Sequence, residues 1–311
     1  MCEALSPAHC FCRTFLAMFQ CMILCAGLGT RLRPLTQTVP KPLVPIGDRP
    51  MLSILLEQLQ VAGGTLRAVN THHRPEKIKE FVERYDPRVT VSHEPTLRGT
   101  AGGIAQVRSS FGPGPVVIWN GDILAQPDLG QLVKAVHNVP AAMAVVTCAK
   151  GEGTCGLGED GRIVRLRGEC FGPEVMGANY VGILALQRDE LDHLPNPGCL
   201  VGDYLLPKLR ASGRVLGITQ YGGFSDVGTL RAYLTANLDW LRLRGLAGRS
   251  FAARGAEVSA GVRLVDCVVG EGAKVEGQGQ LERVVVWPGA VANAPLADCI
   301  VTSEFGVLPV V

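Results

Sequence analysis

From residue 22 onward, short apolar runs alternate with segments of helical periodicity. The runs at 22–26, 66–71, 88–92, 115–120, 141–148, 180–186 and 214–219 are rich in Val, Ile and Ala, with few polar positions between them. Such continuity predicts strands covered on both faces, as in a parallel sheet. Between them, residues 51–62 place Leu52, Leu55, Leu56 and Leu59 on one helical stripe and stop at Gly63-Gly64. Residues 75–85 open on Pro75 and align Ile78, Phe81 and Val82, and 128–138 follow the same plan. This alternation predicts an α/β fold, a doubly wound, mostly parallel sheet that binds ligands at the carboxyl ends of its strands.

A last helix is predicted over 226–245 from Leu230, Tyr233, Leu234, Leu238 and Leu241. After Gly248 helical periodicity vanishes. Val269, Val275, Leu281 and Trp287 recur every six residues, with Gly270, Gly272, Gly277, Gly279 and Gly289 between them. That period predicts a short left-handed parallel β-helix, which packs on the main domain or on another subunit because so few coils cannot stand alone. The chain therefore divides into a leader at 1–21, a main α/β domain at 22–247 and the β-helix at 248–311. The leader, with four cysteines and a short apolar stretch from Phe15 to Phe19, reads as a disordered tail or as sequence upstream of a start at Met18 or Met22.

Composition narrows the function more than the fold. Hydrophobic residues make up 47% of 311 and charged residues 19%, which gives a sizeable core. A net charge of +2 provides no bulk field for nucleic acid, and no apolar run approaches the roughly 20 residues that span a bilayer. The eleven cysteines follow no disulfide framework and no paired CxxC pattern. They read as reduced thiols of a cytoplasmic protein.

The densest chemical signal runs Leu24-Cys25-Ala26-Gly27-Leu28-Gly29-Thr30-Arg31-Leu32-Arg33-Pro34-Leu35-Thr36, followed by Pro40-Lys41-Pro42-Leu43. A buried strand enters a glycine turn whose amides can cradle phosphate, and Arg31, Arg33 and Lys41 add positive charge. No Asp or Glu occurs between Met22 and Gly47. The turn lacks the Lys-Ser or Lys-Thr of a GxxxxGK[ST] loop, and Leu32 replaces the third glycine of a dinucleotide fingerprint.

The stretch resembles the G-x-G-T-R-[LM]-x-P-L-T…P-K-P signature of the sugar-1-phosphate nucleotidyltransferases, with Cys25 where that family commonly has Ala. The resemblance covers about 22–245 and implies a Rossmann-like catalytic domain. It also implies an NTP and a sugar 1-phosphate as substrates, an NDP-sugar and diphosphate as products, and Mg²⁺ as cofactor. It assigns Arg31 to the β- and γ-phosphates and Lys41 to the reacting centre. Leu24, Ala26, Gly27, Gly29, Thr30 and Asn120 become nucleotide contacts.

Two acidic positions complete this picture. Val116-Val117-Ile118-Trp119-Asn120-Gly121-Asp122 is a strand ending in Gly-Asp, and Phe224-Ser225-Asp226-Val227-Gly228-Thr229 opens the long helix. On sequence grounds alone they are a turn aspartate and a helix cap. The resemblance makes Asp122 and Asp226 the Mg²⁺ ligands, and two carboxylates suit an ion that fills its remaining positions with phosphate oxygens and water. His93-Glu94-Pro95-Thr96-Leu97-Arg98-Gly99-Thr100-Ala101-Gly102 resembles the family's E-x-x-x-L-x-G-T-A-G segment. It places Gly99 and Thr100 at the nucleotide, Gly102 at the sugar, and a helix over 101–110.

The sugar end departs from the pattern. Where many members carry Glu-Lys-Pro, this chain has Gly168-Glu169-Cys170-Phe171, with Arg165 and Arg167 as the nearest cations. Glu169 and Asn179 are the sugar contacts that the resemblance suggests. It points most closely to mannose-1-phosphate guanylyltransferases. Uridylyltransferases acting on N-acetylmuramate or hexose 1-phosphate, and guanylyltransferases acting on heptose 1-phosphate, are the neighbouring readings. A non-catalytic NDP-sugar-binding paralogue is the alternative of another class. A β-helix acyltransferase is disfavoured, because 258–311 contains no histidine. The expected partners are the two substrates and a second copy of the chain joined through the β-helix, with neither nucleic acid nor membrane.

Overall fold

Ten strands form the central sheet of the computed structural model, which describes residues 18–310. They are β1 (Phe19–Leu24), β2 (Gly64–Thr71), β3 (Thr90–His93), β4 (Val116–Asn120), β6 (Ala141–Cys148), β7 (Cys155–Leu157), β8 (Ile163–Leu166), β9 (Glu169–Cys170), β10 (Met176–Leu186) and β11 (Val215–Thr219). Two short strands outside the sheet, β5 (Ile123–Ala125) and β12 (Phe224–Asp226), pair with each other. The sheet order is β9-β8-β7-β10-β4-β1-β2-β3, with β6 beside β10 and β11 beside β6.

The first strand starts at Phe19, three residues before the expected position, so residues 19–21 belong to the fold and not to a leader. Phe19 and Cys21 are buried, and Gln20 and Cys21 pair with Val116 and Val117. The rest of the leader expectation, at 1–17, lies outside the described residues. Alternate residues of β1 serve opposite cores: Cys21 and Ile23 face one, Met22 the other. Helices cover both faces, which explains the nearly unbroken hydrophobicity of the strands. Helix α1 (Met51–Val61) buries Leu52, Leu55, Leu56 and Leu59 almost completely. Each such leucine contributes about 1.5–3 kcal/mol relative to an exposed one. Helices α2 (Pro75–Tyr85) and α4 (Leu129–Ala135) add Ile78, Val82, Leu132 and Val133 to the same core, while α3 (Gly99–Gln106) lies in the other with Ala101, Ile104 and Ala105. The fold is Rossmann-like α/β.

The sheet is mixed, not mostly parallel. Pairs β1–β2, β1–β4, β2–β3 and β6–β11 are parallel, whereas β10 runs antiparallel to β4, β6 and β7, and β8 antiparallel to β7 and β9. Connection length explains this. Parallel neighbours need a long crossover, and between residues 148 and 176 the chain turns tightly instead. At Arg167-Gly168 both residues have positive φ (49° and 82°), the geometry of a two-residue hairpin loop.

Beyond Gly248 the chain forms a separate sheet, including β13 (Phe251–Ala252), β14 (Val268–Val269), β15 (Lys274–Val286), β16 (Val291–Thr302) and β17 (Gly306–Pro309). Most of its parallel partners lie seventeen positions apart (Phe251 on Val268, Val268 on Val285, Lys274 on Val291), and the step shortens to fifteen from Leu281 on Leu296 onward. Val269, Val275, Leu281 and Trp287, the expected six-residue stripe, are all buried. The stack ends where β17 turns antiparallel onto β16. Helix α5 (Leu230–Leu243) lies between the two sheets. Tyr233 meets Trp287 edge-on at 6.5 Å between ring centres, and Trp240 meets Phe251 at 5.1 Å.

Candidate active site

After β1, β2 and β3 are laid side by side, the chain returns to place β4 on the other flank of β1. This reversal opens a crevice beyond the carboxyl ends of β1 and β4, where α/β sheets bind ligands. Both ends carry the chemistry expected there: β1 runs into Cys25-Ala26-Gly27, and β4 into Gly121-Asp122. The Gly121 amide donates to the Leu24 carbonyl at 2.9 Å and fixes the two ends together.

Gly29 shapes the turn. Its φ of 62° is left-handed, and an added Cβ would lie 2.8 Å from Thr36 Cγ2. The Thr36 hydroxyl donates to the Gly29 carbonyl at 2.8 Å. The turn then carries Arg31 outward and, after one further single-turn helix, Lys41 inward.

Asp122 and Asp226, 104 positions apart in sequence, meet through the small ribbon. Asp226 pairs with Ile123, and the Val227 amide donates to the Asp122 carbonyl at 3.0 Å. Asp226 therefore lies in a strand, not at a helix cap. Helix α5 begins four residues later, where the Thr229 hydroxyl accepts from the Ala232 amide. Lys41 Nζ sits 2.6 Å from Asp122 Oδ2 and 3.5 Å from Asp226 Oδ1, with its side chain only 8% exposed. Arg31 Nη2 is 3.4 Å from Asp226 Oδ2, but its side chain is 64% exposed. One cation is thus fixed between the carboxylates and the other is free to swing onto a ligand.

The cavity beside this cluster is lined by Leu24, Cys25, Ala26 and Gly27 on one side, by Lys41, Asn120 and Asp122 at the charged end, and by Leu97, Gly99 and Thr100 opposite. Gly29 and Thr30 stand in the turn beyond this lining. Gly182, at φ 77°, leaves room for the Asn120 side chain, whose amide an added Cβ would approach to 2.8 Å. Burial, reinforced by the charge of Asp122, pushes the Cys25 thiol up, so it stays protonated and is no nucleophile.

Two lining residues were not singled out from the sequence, Asn70 and Glu94. Asn70 Oδ1 accepts from the Cys25 amide at 2.8 Å, and its Nδ2 donates to Glu94 Oε1 at 2.8 Å. The other Glu94 oxygen accepts from the Arg98 amide at 2.9 Å. Both side chains are buried, so a carboxylate with no cationic partner among the described residues is held by amide donors. Glu94 stood in a recognisable motif, whereas Asn70 ends a strand with no local signature.

Three expected sugar contacts are placed elsewhere. The Gly102 amide is taken by the Gly198 carbonyl at 3.2 Å, because the 198–200 segment packs across the start of α3. An added Cβ at Gly99 would lie 2.4 Å from that same carbonyl. The Glu169 carboxylate is bound by Arg210, and Asn179 lies in β10 opposite Val146. Neither lines the cavity. Arg165 is clamped by Glu174 and the Gly153 and Cys155 carbonyls, and Arg167 bonds the Cys199 sulfur at 3.3 Å.

Among the described residues no three His, Cys, Asp or Glu side chains gather into a metal-binding group. Two carboxylates converge instead on one ammonium. Oxygen ligands of this number fit a hard divalent ion that completes its shell with phosphate and water. No described helix is long and apolar enough to cross a membrane.

The "Nucleotidyl transferase" family model matches residues 20–154, which hold β1, the glycine turn, Lys41, Glu94 and Asp122. Mannose-1-phosphate guanylyltransferase of Mycobacterium tuberculosis is 28% identical over 291 residues, covering 88% of this chain and 81% of that protein. Probable mannose-1-phosphate guanylyltransferase 1 of Oryza sativa subsp. japonica is 29% identical over 300 residues and covers 82% of each chain. The crystal structure of HddC from Yersinia pseudotuberculosis complexed with GMP-PN superposes with a TM-score of 0.59 at 22% identity, over 72% of this chain and 100% of that one. It shares the fold. Residues 20–154 thus carry a nucleotidyl transferase domain, and over most of its length the chain is similar to sugar-1-phosphate nucleotidyltransferases.

Proposed function

We propose that this nucleotidyltransferase makes an NDP-sugar from GTP and mannose 1-phosphate, releasing diphosphate. The observation that carries the chemistry is the convergence of Arg31, Lys41, Asp122 and Asp226 at one end of the switch-point cavity. The choice of substrates rests on the two guanylyltransferase relatives.

A phosphate oxygen of the sugar 1-phosphate attacks the α-phosphorus in line, and the bond from that phosphorus to the bridging β-oxygen breaks. Positioning and charge neutralisation supply the rate, with no covalent intermediate on the protein. The amides around Gly27 and Gly29 receive the triphosphate. Arg31 turns from Asp226 to the leaving diphosphate, and Lys41 holds its ammonium at the reacting centre. Asp122 and Asp226 would hold Mg²⁺, which would polarise the α-phosphate and neutralise its charge. Gly99 and Thr100 close on the nucleoside. All four charged groups are present, which favours a catalyst over a binding-only paralogue.

We read 248–310 as a small parallel β-helix domain on a main domain that ends near 247, supported by the near-regular step between stacked partners, seventeen residues for most and fifteen from Leu281 onward. This domain would also join two copies of the chain. A cytoplasmic location suits the substrates and the free cysteines among the described residues.

A diphosphate-release screen across four NTPs and a panel of sugar 1-phosphates tests the assignment. GTP with mannose 1-phosphate is expected to give the highest kcat/KM. A better pairing with UTP or with another sugar refutes the substrate choice, and no release from any pair refutes catalysis.

A further inference from the structure

Lys41 is held in place by something other than its own turn. The segment after it, Pro45–Ile46 and Arg49–Pro50, is a short hairpin with little hydrogen bonding of its own. It packs on α1 and is hydrogen-bonded by two side chains of α5. The Tyr233 hydroxyl donates to the Pro45 carbonyl at 2.7 Å, and the Gly47 amide donates to Asn237 Oδ1 at 2.9 Å. Tyr233 and Asn237 are fully buried, so no water can take over either bond. Gly47 itself is wedged against Trp240, where an added Cβ would come within about van der Waals overlap of the indole ring.

The chain of contacts then leaves the α/β sheet. Trp287 Nε1 donates to the Tyr233 oxygen at 2.9 Å. Trp287 follows β15 directly, so the C-terminal sheet reaches the Pro45 carbonyl through two buried side chains. Burial pushes the Tyr233 phenol up, and it remains a donor across the accessible pH range. Helix α5 also follows immediately on the strand that carries Asp226. A single helix therefore touches the Asp226 strand, the segment behind Lys41 and the C-terminal sheet.

We propose that Tyr233 and Trp287 are positioning residues that set the Lys41 ammonium between Asp122 and Asp226, and that through them the C-terminal sheet governs turnover. This rests on the role given to Lys41 above. Neither residue touches a substrate. Their effect is on where the lysine stands, and a misplacement of the order of 1 Å at a reacting centre can cost about 10²-fold in rate.

The test is a double-mutant cycle on the full chain, read as diphosphate release from GTP and mannose 1-phosphate. Tyr233→Phe keeps the ring and removes the hydroxyl. It is expected to lower kcat by about 10-fold while KM for both substrates stays within about twofold, because positioning acts in the transition state. Trp287→Phe, which keeps an aromatic ring and removes the donor, is expected to do the same to a smaller extent. In a Lys41→Met background, Tyr233→Phe should cost nothing further. An unchanged kcat in both single variants, or the same fold-loss with and without Lys41, overturns the proposal. Circular dichroism checks folding; if Tyr233→Phe does not fold, the cycle is read with Trp287→Phe. A Lys41→Met enzyme that turns over at the wild-type rate overturns the site reading itself, whereas a large Lys41→Met loss without an effect of Tyr233→Phe sinks only the positioning role.

Discussion

Arg31 and Lys41 carry the same charge ten residues apart, yet the structure gives them different freedoms. Lys41 is nearly buried between two carboxylates, and Arg31 reaches Asp226 from solvent. An exposed ion pair contributes little to stability. Arg31→Ala should therefore leave the thermal midpoint within a degree or two, while kcat falls on the order of 10²-fold, the size expected when a charge contact of the transition state is removed. Steady-state kinetics beside a melting curve measures both, and a retained kcat would remove Arg31 from the mechanism. The local motifs made these side chains visible, because their spacing lies within one stretch of chain. Asn70 was not, since it ends a strand with no local signature, and only the parallel pairing of β2 and β3 brings it to Glu94. Glu169 and Gly102 show the converse. Sequence position suggested the sugar, but Arg210 and the Gly198 carbonyl had already engaged them.

Hydrophobic patterning located seven of the ten sheet strands, because burial on both faces leaves a direct mark on composition, but it missed the short strands β7, β8 and β9. It did not reveal strand direction. Continuous apolar runs look alike whether the next strand is parallel or antiparallel, and only the short turns between 148 and 176 decide. That antiparallel arm has its own clamp. Arg165 binds Glu174 at 2.7 Å and reaches the Gly153 and Cys155 carbonyls, joining β7, β8 and the approach to β10. The guanidinium holds the Glu174 carboxyl below its ordinary 4.5, with the Gly151 amide assisting. A carboxyl depressed in the folded state contributes its full stabilisation above pH 4.5 and loses it as pH falls through the folded value. Glu174→Gln should therefore lower the urea midpoint at neutral pH, and its gap to wild type should narrow in acid. A gap that is constant with pH would show the pair to be electrostatically silent.

At the scale of the whole chain, the glycine-rich C-terminal region was legible as a change of texture at 248, and its six-residue stripe is buried as expected. How it meets the rest of the molecule was not legible. The junction rests on Tyr233, Trp240, Phe251 and Trp287, of which Tyr233 and Trp287 stood only as apolar positions on two unrelated patterns and the other two on none. The same junction places Lys41, so the global packing and the local electrostatics are one arrangement. Its consequence concerns the protein at rest. With an ammonium tethered between them, Asp122 and Asp226 never confront each other as bare like charges, and the fold carries its own counter-ion at the mouth of the cavity. The resting enzyme has no need of a dissolved cation to stay intact. A chelator should stop turnover yet leave the melting temperature where it was; a fall of several degrees would mean that the lysine does not do this job alone.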